Sequence, residues 1–486
     1  MLLFIMLWPI GVPCQVNYAV KTLSLRECIE IALRHNLGIK IERYEPEIAR
    51  YGLDAASSAY EPAFGSSGLH RSSHIDRGGF TNSVDSQTKS EVFEAGITGV
   101  LPTGLEYNLG GDVTNVRGRD AGGQFETSSG SVSIQLRQPL LKNSWIDATR
   151  LRIGVSRNFV KTSELSLKQQ IMSTVTGVEV AYYDLKLAQQ NVKVQQEALK
   201  LAEQLLEANR QRVEQGVLAP LDEKQAESQV ASQRATLLVA QRLLAAQQNF
   251  LKSLLSDDMS EWKDVLIEPS DEMSASESGL NREQSWVRGL TLRPDLLQAR
   301  LDLERLGLVL KFQRNQLYPQ VDLVGSYGFT GAEKEYSGMF RNLARGNSPF
   351  YSFGAVLTIP LGNRTARSNY KISRAEQRQA LIALQQLEQT IMLQIEDAVN
   401  LARTNFERVG TTREARRFAE AALEAEQTKL ENGKSMSFFI LQLQRDLTSA
   451  RSIEIQALAD YNKALAQLAL REGTILERHN LTIETQ

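Results

Sequence analysis

The sequence predicts a mainly α-helical protein with a small β part, built as an internal two-fold repeat. Three observations support this fold class. Alanine, glutamine and leucine dominate long tracts, and the tract from Asn143 to Ala219 contains no proline. Apolar residues in that tract recur every three or four positions, which is typical of a coiled-coil seam. A helical pattern interrupted by glycine occurs twice, at Gly216 and Gly433, 217 residues apart (433 minus 216).

Composition and charge exclude several functions. The 486 residues carry a formal net charge of −2 without a clustered excess of Lys and Arg, so the chain has no surface suited to nucleic-acid phosphates. The four histidines are scattered, and only His70 and His74 lie close, in a Gly/Ser-rich segment interpreted as a loop. No nucleophile elbow, phosphate-binding loop or HExxH motif occurs. We therefore expect no enzyme activity, no metal site and no cofactor.

The N-terminus indicates an exported protein. Residues 2–13 form an apolar run that is too short to span a bilayer but long enough for a signal-peptide core, so residues 1–20 are assigned to a signal peptide. The basic n-region is missing, which indicates a truncated or misplaced start. Cys14 follows the run, but Pro13 and Gly11 depart from the lipoprotein pattern and argue against lipidation. Cys28 lies in a helical pattern and is expected to be buried.

The first long helix is predicted over residues 143–215. Its seam includes Ala181, Leu185, Ala188 and Val192, and a second apolar stripe indicates neighbours on two sides. A tip at 216–220 ends this helix, and a helix at 221–255 continues the seam and returns antiparallel. A continuous helix of this size would be about 110 Å long, too long for the core of a compact domain. The helices must therefore pack on each other along a tube or rod.

The second copy repeats this order of elements. Ala181 aligns with Ala398 and Val192 with Val409 at the offset of 217. The two repeats and their flanking parts are assigned as repeat 1 at 23–255, an equatorial insertion at 256–290, repeat 2 at 291–471 and a C-terminal tail at 472–486. Repeat 2 contains a long helix at 366–431, a tip at 432–437 and a helix at 438–471. The first copy has 36 extra residues (77 minus 41) before Pro139, which we assign to a loop region.

Each copy also contains a stretch in which the period changes from 3.6 to 2. Four strands with one apolar face are predicted, at 92–109, 130–139, 320–329 and 350–360. The segment Pro102 to Gly104 either bulges or turns the first of them. The strands alone fit a small soluble sheet as well as they fit a membrane-crossing sheet, but the long helices favour the membrane-crossing sheet. Four strands cannot close a barrel, whereas several chains together could.

The order helix, two strands, long helix, glycine-containing tip and shorter helix, given twice, resembles the TolC-like outer-membrane efflux proteins. The segment TLSLRECIEIALRHNLGI resembles the N-terminal helix signature of that family, and RPDLLQARLDLERLGLVLKFQRNQLYPQVDL resembles the opening of its second repeat. The segment IPLGNR resembles the passage from strand to long helix, and EQGVLAPLDEKQAESQ resembles the tip. The resemblance covers residues 23–472.

The resemblance implies a homotrimeric channel-tunnel. Its antiparallel coiled-coil helices would form an α-barrel in the periplasm, and four strands from each chain would form a twelve-stranded transmembrane β-barrel. Such a protein is the passive exit duct of a tripartite efflux or type I secretion system in the outer membrane of a Gram-negative bacterium. Its partners would be outer-membrane lipid, a periplasmic adaptor (membrane-fusion) protein and an inner-membrane transporter. The sequence specifies neither the exported substrate nor the transporter class.

The two tips form the candidate functional site. The resemblance implies that the tip turns dock the adaptor, and these residues are Gly216, Val217, Leu218, Pro220, Gly433, Lys434 and Ser435. It also implies a periplasmic gate at the sixth and ninth positions after each glycine, here Asp222, Gln225, Phe439 and Gln442. Phe439 and Gln442 depart from the acidic residues of the family. A carboxylate ring, an apolar plug and a Phe439 that simply packs into the tip are therefore alternatives.

Two other classes of protein fit part of the pattern. A soluble or periplasmic coiled-coil scaffold without channel activity would explain the seams, but it predicts neither amphipathic strands nor an exported N-terminus. A porin-like channel would explain the strands but not the long helices. Detergent-free solubility would identify the scaffold, and circular dichroism dominated by helix would exclude the porin.

Overall fold

The computed structural model describes residues 19–75, 86–120, 123–216, 218–276, 279–432 and 434–481. The helices, numbered in chain order, are α1 (Leu25–His35), α2 (Leu37–Glu42), α3 (Tyr44–Ser57), α4 (Ala148–Glu214), α5 (Pro220–Leu255), α6 (Arg282–Leu292), α7 (Pro294–Asn315), α8 (Tyr336–Arg345), α9 (Arg364–Glu431), α10 (Ser437–Glu472) and α11 (Ile475–Arg478). The strands are β1 (Ala19–Leu23), β2 (Ala63–Ile75), β3 (Ser86–Val100), β4 (Glu106–Asp120), β5 (Gly123–Pro139), β6 (Val265–Pro269), β7 (Gln320–Glu333) and β8 (Pro349–Thr358). A 3-10 turn at Ser58–Tyr60 follows α3. Most of the predicted signal peptide, including Cys14, lies outside the described residues.

Four long helices dominate the chain. Helices α4 and α9 contain 67 and 68 residues, and α5 and α10 contain 36 each. The prediction of a mainly α-helical chain with a small β part is confirmed. Helix α4 begins at Ala148 rather than at residue 143, because Asn143 and Trp145 have φ values of 63° and 57°, which a right-handed helix excludes.

The chain divides into two compact units. The first contains the chain up to Glu45, Glu164–Leu297 and the chain from Gln385, and the second contains Pro46–Ser163 and Gln298–Leu384. None of the helices in the described part of the chain combines the length and the apolar character needed to span a membrane.

The main core of the first unit packs α1 and α4 against α5 and strand β6. Ala181 and Leu185 of the predicted seam are fully buried there, and so is Cys28, as expected. The hydroxyl of Tyr182, also fully buried, donates to the carbonyl oxygen of Leu23 at 3.2 Å, which satisfies its polar group inside the core. Ile475 of α11 belongs to the same cluster. Burial of these side chains fixes the middle of α4 in the unit.

A small parallel sheet and a capping box hold the start of the chain in this unit. Strand β1 pairs with β6 from Ala19 with Val265 to Leu23 with Pro269. Helix α1 begins where Ser24 Oγ accepts the Glu27 N–H at 3.3 Å and the Glu27 carboxylate accepts the Ser24 N–H at 2.8 Å. The predicted insertion at 256–290 therefore contributes a strand to the first unit, which its sequence pattern did not predict.

The second unit contains an antiparallel six-stranded sheet in the order β2, β3, β4, β5, β7, β8. The sequence predicts four strands, so the number is corrected to six. The predicted strand at 92–109 is two strands, because residues 101–105 form a turn in which Gly104 has φ +86° and its N–H donates to the Leu101 carbonyl at 2.8 Å. Pro102 to Gly104 therefore turn the chain and do not bulge it.

The other unpredicted strand is β2. Its sequence, AFGSSGLHRSSHI, lacks the alternation of large apolar residues that marks a half-buried strand, so the sequence alone predicts a loop. His70 and His74 lie in this strand, paired with Glu91 and Gln87 of β3. The extra residues of the first copy also form structure: the hairpin β3–β4 accounts for 35 of them (86 to 120) and lies within the sheet instead of forming a loop.

Candidate functional site

The first helical tip ends α4 in a left-handed turn. Gly216 has φ +74°, a conformation that glycine adopts without steric cost. The Gly216 N–H donates to the Val213 carbonyl at 2.9 Å, and the Leu218 N–H donates to the Arg212 carbonyl at 3.3 Å. Pro220 is the first residue of α5, where its missing N–H leaves no hydrogen bond unmade. The predicted tip residue Val217 lies outside the described residues.

The second tip joins α9 to α10. The Lys434 N–H donates to the Lys429 carbonyl at 2.9 Å, which caps the end of α9. The Ser435 hydroxyl donates to a carboxylate oxygen of Glu426 at 2.5 Å, and Lys429 Nζ lies 2.8 Å from the other. These two contacts, with Lys429 the stronger, lower the pKa of the partly buried Glu426 carboxyl. The predicted tip residue Gly433 lies outside the described residues.

A buried asparagine joins the two tips within one chain. Asn209 near the end of α4 is fully buried. Its Oδ1 accepts the hydroxyl proton of Ser437, the first residue of α10, at 2.9 Å. Its Nδ2 donates to the carbonyl oxygen of Asp222, in the first turn of α5, at 3.4 Å. The starts of α5 and α10 are therefore both held by one side chain of α4, and we call Asn209 and Ser437 the tip clamp.

Apolar packing beside the tip clamp joins three helices. Leu205 of α4 forms a buried cluster with Leu423 of α9 and with Ile440, Leu441 and Leu447 of α10. Burial of such side chains removes apolar area from water, worth about 25 cal/mol per Å². The cluster keeps the two tips side by side in the chain, and the tip clamp fixes their register because an unpaired buried amide would be costly.

The predicted gate residues lie in the first two turns of α5 and α10. Asp222 and Gln225 are half-buried, whereas Gln442 is exposed. Phe439 is 45% exposed and makes an edge-to-face contact with Phe438, their ring centroids 5.8 Å apart. In the described part of the single chain, no hydrogen bond or ion pair joins these four side chains to one another.

Further apolar side chains surround the tips. Leu221, Met436 and Phe438 are each more than half exposed in the single chain. Charged side chains beside them are already paired: Arg210 Nε lies 3.2 Å from Glu223, and Lys224 Nζ lies 2.7 Å from Glu227. The tip surface thus presents apolar groups in a setting of self-paired charges, which suits contact with another protein surface.

One face of the six-stranded sheet is apolar across all its strands. Residues directly opposite each other in an antiparallel sheet point to the same face. One such row contains Phe64, Ile97, Leu109, Ile134, Tyr327 and Tyr351, one residue from each strand. All six are exposed in the single chain, from 38% for Ile134 to 75% for Tyr351. An apolar surface of this extent requires a covering partner or lipid.

The opposite face is polar along the neighbouring row. Thr98, Asn108, Gln135, Ser326 and Ser352 lie opposite one another on five successive strands. The hydroxyl groups of Ser326 and Ser352 are hydrogen-bonded at 2.7 Å. Apolar residues on one face and polar residues on the other are the pattern of strands between lipid and a water-filled lumen.

The apolar rows have the height of a membrane band. On β7 they run from Val321 to Phe329, about 27 Å along the strand at about 3.4 Å per residue. At a strand tilt of about 40° this corresponds to about 20 Å along a barrel axis, close to the about 25 Å of outer-membrane barrels. Helix α8 covers the next row, where its fully buried Met339 lies against the paired Gly130 and Gly331. The row beyond carries Glu91, Asn115 and Glu333.

An ion pair ties β5 to β7 near the end of the sheet. The guanidinium of Arg137 donates to Asp322 through Nε at 2.9 Å and Nη2 at 2.6 Å. Asp322 is 1% exposed, so it depends on this partner.

Sequence reasoning missed this pair and the tip clamp. The polar Asn209 within an apolar seam was the available signal for the clamp, since a buried polar residue in a seam commonly sets register.

A family model matches most of the chain. The model of the outer membrane efflux protein family matches residues 104–256 and 288–474, well over half of the sequence. The match includes strand β5, the four long helices and both tips. Among curated proteins, no sequence matches the chain significantly.

Solved structures share the fold over nearly their whole length. A membrane protein from Pseudomonas aeruginosa is 20% identical with a TM-score of 0.69, covering 94% of this chain and 91% of that chain. The Campylobacter jejuni CmeC outer membrane channel is 15% identical with a TM-score of 0.68, covering 95% and 90%. The open state of the Neisseria gonorrhoeae MtrE outer membrane channel is 17% identical with a TM-score of 0.67, covering 94% and 91%. At these identities the likeness is one of fold.

Proposed function

The chain belongs to the outer membrane efflux protein family, and from that premise we propose that it is the passive exit duct of a tripartite efflux or type I secretion system. In this proposal three copies assemble in the outer membrane of a Gram-negative bacterium, with a large periplasmic part. Efflux channels of this kind conduct without chemical catalysis, so we assign no enzyme activity.

The observation that supports the proposal most strongly is the two-faced sheet. The sheet has one row that is apolar on all six strands and, beside it, a row that is polar on five. This arrangement fits a sheet that separates lipid from water. The sheet has two edge strands, β2 and β8, and a bilayer leaves no unpaired backbone groups exposed to lipid. Closure with further copies of the chain satisfies those edges.

The helices supply the periplasmic tunnel. Coiled-coil seams on α4, α5, α9 and α10 provide four long helices per copy, hence twelve in a trimer. A scaffold protein with the same seams would not need the apolar face of the sheet. We therefore retain the soluble scaffold only as the outcome that would refute the proposal.

The tips are proposed to dock the periplasmic adaptor and, through it, the inner-membrane transporter. Support comes from the exposed apolar groups of Leu221, Met436 and Phe438 beside self-paired charges. The turn residues Leu218, Pro220, Lys434 and Ser435 would lie in the contact, together with Gly216 and the undescribed Val217 and Gly433. Met436→Asp should weaken cross-linking to the adaptor, whereas Phe418→Asp, at a 68% exposed position on α9, should not.

The gate is proposed at the mouth of the duct, where copies of Asp222, Gln225, Phe439 and Gln442 would approach one another. Phe439 is exposed in the single chain, so three copies could form an apolar constriction. Asp222 is the one acidic side chain among the four, and its half-buried position limits its reach. We therefore favour the apolar plug over the carboxylate ring.

Adjacent residues on the two faces of β5 test the membrane assignment. Ile134→Arg places a charge on the proposed lipid face near mid-height, at a cost of about 2–4 kcal/mol. Gln135→Arg places the same charge on the proposed lumen face, where it should be tolerated and shift the ion selectivity of channels in planar bilayers. We expect the first variant to lose membrane insertion and the second to insert. Equal behaviour of both variants in a soluble fraction would refute the outer-membrane duct.

A further inference from the structure

We propose that the hairpin β3–β4 crosses the membrane in every copy, so that the trimer closes an eighteen-stranded barrel instead of a twelve-stranded one. The inference rests on the proposed trimeric channel and specifies its pore. It follows from the six strands that one chain brings to one continuous sheet.

The hairpin spans the full height of the sheet. Strand β3 pairs with β4 from Gln87 with Arg119 to Val100 with Glu106, and β4 pairs with β5 along its whole length. The turn between β3 and β4 lies at the end where β5 stops, because Gln138 Nε2 donates to the Thr103 carbonyl at 3.2 Å. The hairpin is therefore an integral pair of strands and not an appendage beyond one end.

The two faces continue through the hairpin in register. Ile97 and Leu109 complete the apolar row between Phe64 and Ile134. On the other face Glu94 lies opposite Asp112, which accepts a hydrogen bond from the Ser131 hydroxyl of β5 at 2.5 Å. Placing the hairpin outside the membrane would expose its apolar residues to water and break a continuous lipid-facing belt.

The two open edges have the directions that closure requires. Each strand of the sheet is antiparallel to its neighbours, so β2, β4 and β7 run one way and β3, β5 and β8 run the other. The edge strand β8 of one copy is thus antiparallel to the edge strand β2 of the next. Because each copy contributes an even number of strands, six, any number of copies can close a barrel in which all neighbouring strands are antiparallel.

The number of strands sets the width of the barrel. Strands about 4.8 Å apart and tilted by about 40° give a circumference of about 110 Å for eighteen strands and about 75 Å for twelve. An eighteen-stranded barrel would therefore be about 1.5 times as wide as a twelve-stranded one.

Spin labels on adjacent residues test the inference with an internal control. Single cysteines at Ile97 and Thr98 of β3 and at Ile134 and Gln135 of β5 are introduced after replacing both native cysteines, and the labelled protein is reconstituted in lipid. Accessibility to oxygen reports lipid contact, and accessibility to a water-soluble nickel chelate reports the lumen. We expect severalfold higher oxygen accessibility at 97 than at 98, with the same contrast between 134 and 135.

The outcomes separate the inference from the proposed function. If accessibility alternates between lipid and water at positions 134 and 135 of β5 but both positions of β3 are exposed to water, the eighteen-stranded barrel is overturned and the proposed channel function is not. Water exposure of all four positions would refute the membrane channel and the inference with it. A strand count by cryo-electron microscopy provides the second measurement: a trimer with eighteen strands supports the inference, and either a trimer with twelve or a dimer with twelve overturns it.

Discussion

Removing the tip clamp should loosen both tips together. In Asn209→Ala the hydroxyl of Ser437 loses its acceptor, and the Asp222 carbonyl loses its donor. Ser437 is 1% exposed, so water does not readily replace the lost partner. The starts of α5 and α10 should therefore open more often, although they lie on different tips.

The structure sets the size of this effect. An unsatisfied buried hydroxyl at the start of α10 costs about 1–3 kcal/mol, and losing the longer 3.4 Å bond to the Asp222 carbonyl loosens the start of α5 by a smaller amount. At 1.4 kcal/mol per tenfold change, local opening becomes about 5 to 150 times more frequent. Ser437→Ala leaves Asn209 Oδ1 unpaired and should cost a similar amount. The double variant removes both partners, so its cost should be about 1 kcal/mol less than the sum of the single costs.

Hydrogen exchange of peptides covering the starts of α5 and α10 measures these local opening energies. Asn405→Ala is the control, since Asn405 is also a buried asparagine on a long helix but donates to Asp460 instead. It should leave tip exchange unchanged. The reasoning is wrong if Asn209→Ala and Ser437→Ala have additive effects, or if Asn209→Ala changes exchange at one tip only.

Three further predictions concern the gate, the core and the sheet. Phe439→Ala should raise single-channel conductance, and Phe438→Ala should not; equal conductance of both variants would remove Phe439 from the gate. Burial raises the pKa of the Cys28 thiol to about 12, so in a Cys14→Ser background it should resist maleimide at pH 8 until the protein unfolds. The contribution of the protonated Cys28 thiol to folding stability is fully present below about pH 9 and is lost as the pH rises towards 12. Rapid maleimide labelling of the folded protein would contradict the burial of Cys28. Asp322→Asn should cost about 1–3 kcal/mol in thermal stability because it removes the charge of the buried carboxylate that accepts two hydrogen bonds from Arg137. Glu106→Gln, at the exposed carboxylate 3.7 Å from Arg137, should cost little, and equal losses would refute the distinction.

The helices were the most predictable part of the fold. A seam through Ala181, Leu185 and Val192 repeats at a fixed period, and its residues are buried as predicted. Glycine at the end of α4 was equally readable, since Gly216 adopts the left-handed conformation that ends helices. Local chemistry decides both features, so a single sequence suffices to predict them.

The sheet was less predictable because its partners are distant in sequence. Strand β2 contains four serines and two glycines, and only its pairing with β3 shows that Phe64 extends the apolar row. The turn at Gly104 could not be told from a bulge by alternation alone, since the odd residues stay on one face on both sides of it. A strand count of four followed from both limitations.

At the site, the sequence located the tips but not what joins them. Asn209 was visible only as a polar interruption of the seam, and its contact with Ser437 spans 228 residues. The exposure of Phe439 depends on how α10 packs against α4 and α9, which no local pattern specifies. Whether copies of Phe439 meet depends on the assembly.

The central claim is that three copies of this chain form one duct through the outer membrane. Single-particle cryo-electron microscopy of the protein extracted from outer membranes into lipid nanodiscs tests it most directly. We predict a three-fold assembly in which a β-barrel crosses the lipid disc and twelve long helices enclose a continuous tunnel ending at the paired tips. A monomeric or dimeric particle without a lipid belt, recovered from the soluble fraction, would contradict the claim.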